Sequence, residues 1–238
     1  MFKKIMLAMM LVILTSCSVS KDNKINEDGS YVVTKDGIKS DFSKEDNQKI
    51  IWYSDFLCPD CHRAYNNSHE FIKNIINEGK LEVKYYPLGF LNKYVDNEYS
   101  TRSAAWNLGI VEYSPESVEN FVTQLSEDSV KVEDADEKFL EEVAKKSGVS
   151  DLNIKKIKEK MEDYKAIVEK STKSFVDNEE YKKLTKDGRM FVPFIIVDGK
   201  VLNGESEDVD NEIINPIKDM IPDVSDCGDE DEKGCTPN

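Results

Sequence analysis

The segment SDFLCPDCHRAY, Ser54–Tyr65, holds two cysteines between a strand-like stretch and a helix-like stretch. Upstream, Lys49–Leu57 is rich in aromatic and β-branched residues, which predicts a buried strand that runs straight into Cys58. Downstream, Pro59 suits the first position of a helix, and apolar residues follow near helical spacing. A second strand is predicted over Leu81–Leu88. The sequence therefore predicts a strand–helix–strand unit with the cysteine pair at the helix N-terminus.

A long helical region follows this first part, which we place at residues 31–95. Apolar residues at helical spacing form three stripes, over Val118–Leu125, Phe139–Val143 and Ile154–Val168. We interpret the stripes as the core of a helical insertion over residues 96–187.

Strand signals return after the insertion. The sequence PFIIVDGKVLNG, Pro193–Gly204, predicts a β-hairpin that turns at Asp198–Gly199. An amphipathic helix follows, and Pro216 is expected to kink or divide it. Residues 188–221 therefore form a second part with a ββα pattern, followed by an acidic tail at residues 222–238. The fold class predicted is α/β.

The N-terminus has the pattern of an exported protein. A basic start, MFKK, precedes the apolar run IMLAMMLVILTS, which is shorter than the roughly 20 residues needed to span a bilayer. The segment LTSC, Leu14–Cys17, resembles the lipobox of bacterial lipoproteins. This resemblance implies a signal peptide over residues 1–16 and a lipid on Cys17, followed by a flexible polar tether that ends at residue 30. We expect anchoring at the outer face of the cell membrane; an ordinary secreted protein with a chance cysteine is the alternative.

All five cysteines can be assigned if the chain is exported to a compartment where disulfides persist. Cys17 is assigned to the lipid, and Cys58 and Cys61 form one pair. Cys227 and Cys235 can form a second disulfide in the acidic tail. The acids between these two cysteines lack the spacing of an EF-hand, so we interpret the segment as a solvated loop and predict no metal site.

The formal net charge of the chain is -15. A balance this acidic argues against binding to nucleic acid and against binding to a membrane surface through a polybasic patch. We interpret the charge as a contribution to solubility.

The cysteine pair suits thiol–disulfide exchange, which needs no cofactor. A helix N-terminus carries about half a positive charge and unpaired N–H groups, which favour a thiolate. Cys58 is therefore predicted to attack, through a mixed disulfide with a partner protein. Cys61, one turn further along the helix, is predicted to be more buried and to resolve that intermediate.

The order of elements around FLCPDC, together with the later segment MFVPFIIVDG, resembles the DsbA-like branch of the thioredoxin fold. In that family a cis-proline precedes the third core strand and lies against the redox pair, and Pro193 after Val192 matches it. The resemblance implies that Val192 and Pro193 shape a groove for an extended segment of an exported protein. It also implies a membrane redox partner, quinone-linked, that reoxidises the pair after each turnover.

The chain departs from the strongest oxidants of this family, which have histidine after the proline, because here that residue is Asp60. A neighbouring carboxylate disfavours a thiolate, so we expect a higher pKa of Cys58 and a weaker oxidant than in proteins with the Pro-His pair. His62 either offsets part of this effect or is an ordinary surface residue of the helix.

Haem attachment and zinc binding agree less well with the same cysteine motif. Cys-x-x-Cys-His is also a haem attachment motif, but His69 on the same helix cannot reach the opposite face of a haem held by His62. Zinc has four possible ligands in Cys58, Cys61, His62 and His69, but Cys61 and His62 are adjacent, whereas structural sites prefer spaced pairs. A disulfide reductase or isomerase supplied with electrons across the membrane, and a binding or chaperone lipoprotein with a structural disulfide, remain alternatives.

Overall fold

The computed structural model describes residues 24–94, 98–127 and 136–221. The predicted signal peptide, the predicted lipid site Cys17 and the predicted disulfide Cys227–Cys235 lie outside the described residues. Residues 24–30, predicted as part of the tether, instead pack on the domain. Ile25 is buried, and the amide of Asn26 donates to the carbonyl of Ser40, 2.6 Å away. The apolar Ile25 was overlooked within a polar stretch.

A six-stranded mixed sheet forms the centre of the protein. Its strands are β1 Tyr31–Thr34, β2 Gly37–Lys39, β3 Gln48–Ser54, β4 Leu81–Pro87, β5 Phe194–Val197 and β6 Lys200–Val201. They lie in the order β2-β1-β4-β3-β5-β6. The central strand β3 pairs parallel with β4, as a strand–helix–strand unit requires, and antiparallel with β5.

Eight α-helices are found in the described residues. They are α1 Pro59–Asn77, α2 Tyr99–Tyr113, α3 Val118–Glu127, α4 Glu137–Lys146, α5 Asp151–Glu159, α6 Met161–Val176, α7 Glu179–Leu184 and α8 Asn215–Met220. Helix α1 connects β3 to β4, and α2 to α7 lie between β4 and β5, where the insertion was predicted. None of the helices in the described parts of the chain is long and apolar enough to cross a membrane.

The insertion has its own core around α2. Twelve of the 15 residues of α2 are buried, which explains why its sequence shows no amphipathic stripe. Gly109 allows α5 to approach closely, because a Cβ at that position would lie 2.5 Å from Ile157. The third predicted stripe is two helices instead of one, since the chain breaks at Lys160 between α5 and α6.

The two faces of the sheet are covered differently. Ile50 and Trp52 of β3 pack with the apolar side of α1 and with the C-terminal segment. Tyr53 points to the other face and stacks on Phe175 of α6, with ring centroids 4.6 Å apart. Because side chains alternate along a strand, β3 is buried from both sides and its end is held firmly.

The C-terminal elements follow the sequence prediction. The β5–β6 hairpin turns at Asp198 and Gly199, which have φ of 47° and 71° as a tight two-residue turn requires. The predicted last helix is divided: a π-helical turn, Asp210–Ile214, precedes α8, and Pro216 lies at the second position of α8.

Candidate active site

Cys58 is positioned by a short turn that follows β3, and not by the strand itself. Strand β3 ends at Ser54, three residues earlier than predicted. The carboxylate of Asp55 accepts a hydrogen bond from the backbone N–H of Leu57 at 2.8 Å, and its carbonyl accepts one from Cys58 N–H at 3.0 Å. This side-chain-stabilised turn ends the strand and places Cys58 at the start of the next helix.

Cys58 is the residue that caps α1, with Pro59 as the first helical residue. The backbone N–H of Cys61 points at the sulfur of Cys58, 3.4 Å away. Both cysteines are buried thiols in this structure. The geometry is the one in which a helix N-terminus stabilises a sulfur anion.

The surroundings make the two sulfurs unequal. The pKa of Cys58 is lowered, first by the thiol of Cys61, which donates to its sulfur, and also by the backbone N–H groups of Cys61 and Asp60. Burial raises the pKa of Cys61 well above its usual value, and the neighbouring Cys58 raises it further. The arrangement therefore favours Cys58 as the attacking thiolate and Cys61 as the protonated resolving thiol.

The Val192–Pro193 segment lies directly against this pair. The Val192–Pro193 peptide bond is cis, as the family resemblance implies. The thiol of Cys58 donates to the carbonyl of Val192 at 3.3 Å. Gly204 lies in close contact with Pro193: a Cβ at position 204 would be only 2.5 Å from the carbonyl oxygen of Pro193.

A groove of about 510 Å³ opens in front of Cys58 and Val192. Its walls come from the 3₁₀ helix Phe90–Tyr94 on one side and the segment 188–192 on the other. Tyr94 is 69% exposed at the rim, which is unusual for a large aromatic side chain. The other lining side chains are apolar or charged: Val176, Met190, Phe191, Lys93, Asp177, Lys182, Arg189 and Glu205.

Asp60 does not act alone beside Cys58. Its carboxylate pairs with the guanidinium of Arg63, one turn along α1. Arg63 also donates to the carbonyls of Glu205 and Ser206, so the pair ties the helix to the loop after β6. The unfavourable charge predicted for Asp60 from the sequence is therefore compensated by a cation on the same helix.

The carboxylate that does raise the pKa of Cys58 is that of Asp55, by charge repulsion. Asp55 is fully buried, and burial raises its own pKa from 3.8 to about 6, against the hydrogen bonds from the backbone of Leu57 and Leu91. Asp55 was not predicted from the sequence as a site residue. A single acid directly after a strand-like run was the available signal, since a buried strand that ends in a turn often uses such a side chain.

His62 is neither a compensating cation nor an ordinary surface residue. Its Nε2 lies 2.8 Å from the carbonyl oxygen of Phe56. Burial lowers the pKa of His62, so the ring is neutral near pH 7 and Nε2–H donates to that carbonyl. A neutral ring cannot offset the charge of Asp60, and the half-buried side chain is held by the active-site turn at Phe56.

The zinc alternative proposed Cys58, Cys61, His62 and His69 as ligands. In residues 24–94, 98–127 and 136–221, no three histidine, cysteine or acidic side chains converge as a metal site would require. The Nε2 of His62 is engaged by a carbonyl, as described above.

Comparison with known proteins gives one family. A family model described as thioredoxin matches residues 43–215. The comparison with curated protein sequences gives no match.

Solved structures with a similar fold are thiol–disulfide oxidoreductases by name. The MdbA protein of Corynebacterium diphtheriae is 25% identical, with a TM-score of 0.59 over 76% of this chain and 92% of that one. The MdbA protein of Corynebacterium matruchotii is 22% identical, with a TM-score of 0.61 over 76% and 86%. DsbA of Mycobacterium tuberculosis is 19% identical, with a TM-score of 0.59 over 82% and 94%. The fold is therefore that of DsbA-like proteins.

Proposed function

Since the chain belongs to the thioredoxin family, we propose that it is an extracytoplasmic thiol–disulfide oxidoreductase that introduces disulfides into exported proteins. One observation carries the proposal. The sulfur whose pKa is lowered, Cys58, lies 3.3 Å from the Val192 carbonyl at the floor of an open groove, with Cys61 behind it. A purely structural disulfide requires neither a difference in pKa between its two sulfurs nor a groove in front of one of them.

The reaction follows from the position of the two sulfurs. In the oxidised enzyme, a thiolate of the substrate attacks the sulfur of Cys58, and Cys61 leaves and takes up a proton. A second substrate thiolate then attacks the substrate sulfur of the mixed disulfide and releases Cys58 as a thiolate. The substrate gains a disulfide, and its two electrons reduce the enzyme pair. Stabilising the Cys58 thiolate makes it a good leaving group and favours this direction.

The groove supplies the means to hold an extended substrate segment. Backbone carbonyls such as that of Val192 pair with a bound strand without reading its side chains. The apolar walls, among them Phe90 and Phe191, suit unfolded chains that expose apolar residues.

The remaining parts of the proposal concern residues outside the described structure. We place a lipid on Cys17 and the protein at the outer face of the membrane, where a membrane partner reoxidises the Cys58–Cys61 pair. Cys227 and Cys235 close a loop in the tail. Mass spectrometry of the intact protein without reductant tests the last point, since two free thiols there would contradict it.

One observation favours a second candidate, a reductase or isomerase. The buried carboxylate of Asp55 opposes the Cys58 thiolate, and a less stable thiolate makes a less oxidising disulfide.

The reduction potential of the Cys58–Cys61 couple, measured in glutathione buffers, tests the proposal. We expect a value between about -120 and -200 mV, well above that of thioredoxin, which supports an oxidase or an isomerase. A value of about -270 mV would identify a reductase instead. Turnover separates either enzyme from a binding module, with Cys58→Ser as the control. An oxidase would form disulfides in a reduced, unfolded protein, a reductase or isomerase would act on a disulfide-bonded one, and a binding module would do neither.

A further inference from the structure

One buried carboxylate joins the redox pair to the wall of the groove. The Oδ1 atom of Asp55 accepts from the backbone N–H of Leu57, immediately before Cys58, at 2.8 Å. Its Oδ2 atom accepts from the backbone N–H of Leu91, in the 3₁₀ helix Phe90–Tyr94, also at 2.8 Å. Asp55 has no exposed surface, so water does not compete for either oxygen.

The two segments that Asp55 holds meet at the same groove. Cys58 contributes the reactive sulfur, and Phe90, Leu91 and Tyr94 contribute the facing wall. The two segments follow the neighbouring strands β3 and β4, whose pairing ends at Ser54 and Pro87, with one more backbone hydrogen bond from Leu88 N–H to the carbonyl of Ser54. Beyond that point the carboxylate of Asp55 bridges them, so it contributes to the spacing between the sulfur and the wall.

We propose that Asp55 is a positioning residue that holds the Phe90–Tyr94 wall at the distance from Cys58 at which a substrate segment fits between them. This rests on the proposed function, because it concerns how that same site binds an extended peptide. Asp55 touches no substrate; it acts through the two backbone amides that it accepts from. Replacing one of its oxygens by an NH₂ group would place a donor opposite a backbone N–H. One of the two hydrogen bonds would then be lost, and the segment that it holds would be released.

Protonation of Asp55 has the same effect as such a replacement. The groups that face its carboxylate are the thiol of Cys58, which caps α1, and the hydroxyl of Ser100, from α2. The backbone N–H of Asp55 donates to the sulfur of Cys61 at 3.5 Å. His62 lies close by, on the carbonyl of Phe56 in the same turn. In the oxidised enzyme the two sulfurs no longer titrate, which leaves His62 as the group to be controlled for.

The first experiment compares Asp55→Asn with the wild type on two substrates, with glutathione disulfide as the reoxidant. For a dithiol peptide, we expect KM to rise about tenfold without a fall in kcat, since one buried hydrogen bond of the groove wall is lost while the Cys58 thiolate is not weakened. For dithiothreitol, which has no backbone to bind, we expect no loss of rate. An unchanged peptide KM, or an equal fall in both rates, would overturn the proposal.

The second experiment does not depend on turnover. In amide NMR spectra of the oxidised protein, the signals of Leu57 and Leu91 should shift together with pH, with a midpoint near the Asp55 pKa of about 6. The shared midpoint should vanish in Asp55→Asn and persist in His62→Gln. Separate midpoints, or persistence in Asp55→Asn, would refute the bridge. A wild type that oxidises neither the peptide nor dithiothreitol would instead refute the proposed function, and the NMR result would still decide on Asp55.

Discussion

Replacing Asp55 by Asn should change how the stability of the protein depends on pH. The pKa of Asp55 is raised from 3.8 to about 6 by burial, which corresponds to about 3 kcal/mol. Because the folded-state value lies above the unfolded one, the stability from this group is fully present below pH 3.8. It is lost as the pH rises through about 6. Asparagine, which resembles the protonated acid in shape, has no proton to lose.

Urea unfolding of the reduced wild type and of Asp55→Asn, at pH 4 to 7.5, measures this effect. The free energy of unfolding of the variant minus that of the wild type should rise by about 2.4 kcal/mol across this range, because pH 4 already lies above the unfolded pKa of 3.8. Any constant cost of placing the amide against Leu91 cancels in the comparison between pH values. A difference that does not vary with pH would refute the reasoning.

Glu82 offers a matched control with the opposite sign. It is also buried, and burial alone would raise its pKa, but hydrogen bonds from Ser43 and Asn47 hold that pKa below its usual value. Its stability contribution is therefore present above the unfolded pKa and lost as the pH falls. When the measurement is extended below pH 4.5, the difference between Glu82→Gln and the wild type should accordingly rise as the pH falls, opposite to that for Asp55→Asn.

Two further predictions concern the thiolate and the groove. Asp55→Asn should lower the pKa of Cys58 more than Asp60→Asn does, because Arg63 already compensates Asp60; titration of the thiolate absorbance near 240 nm checks this, and the reverse order would contradict it. Gly204→Ala should destabilise the protein by about 1–3 kcal/mol, because the new Cβ meets the backbone oxygen of Pro193 at 2.5 Å. Urea unfolding measures that loss, and wild-type stability would show that the contact can relax.

The parts of the fold that sequence reasoning predicted have local causes. The strand–helix–strand unit, the turn at Asp198–Gly199 and the division at Pro216 each follow from residues that are close in the chain. The position of Val192 and Pro193 against Cys58 came from the family resemblance, because no local rule brings residues 134 positions apart together.

The parts that were missed depend on contacts between distant segments or on burial. Asp55 acquires its role only because Leu91, 36 residues later, presents its amide to it. His62 becomes neutral only because the turn at Phe56 covers it. Arg63, which compensates the charge of Asp60, is only three residues further along the chain. Its guanidinium is held in place, however, by carbonyls that lie 142 and 143 residues after it.

The rate of alkylation of each cysteine by iodoacetamide, followed against pH in the reduced full-length protein, tests the central claim most directly. Peptide mapping assigns the modification to each sulfur. The account predicts that Cys58 reacts first, with a midpoint below the ordinary cysteine pKa of about 8.5, while Cys61 stays unmodified in the folded protein. Preferential modification of Cys61, or an ordinary or higher midpoint for Cys58, would contradict the assignment of Cys58 as the attacking thiolate.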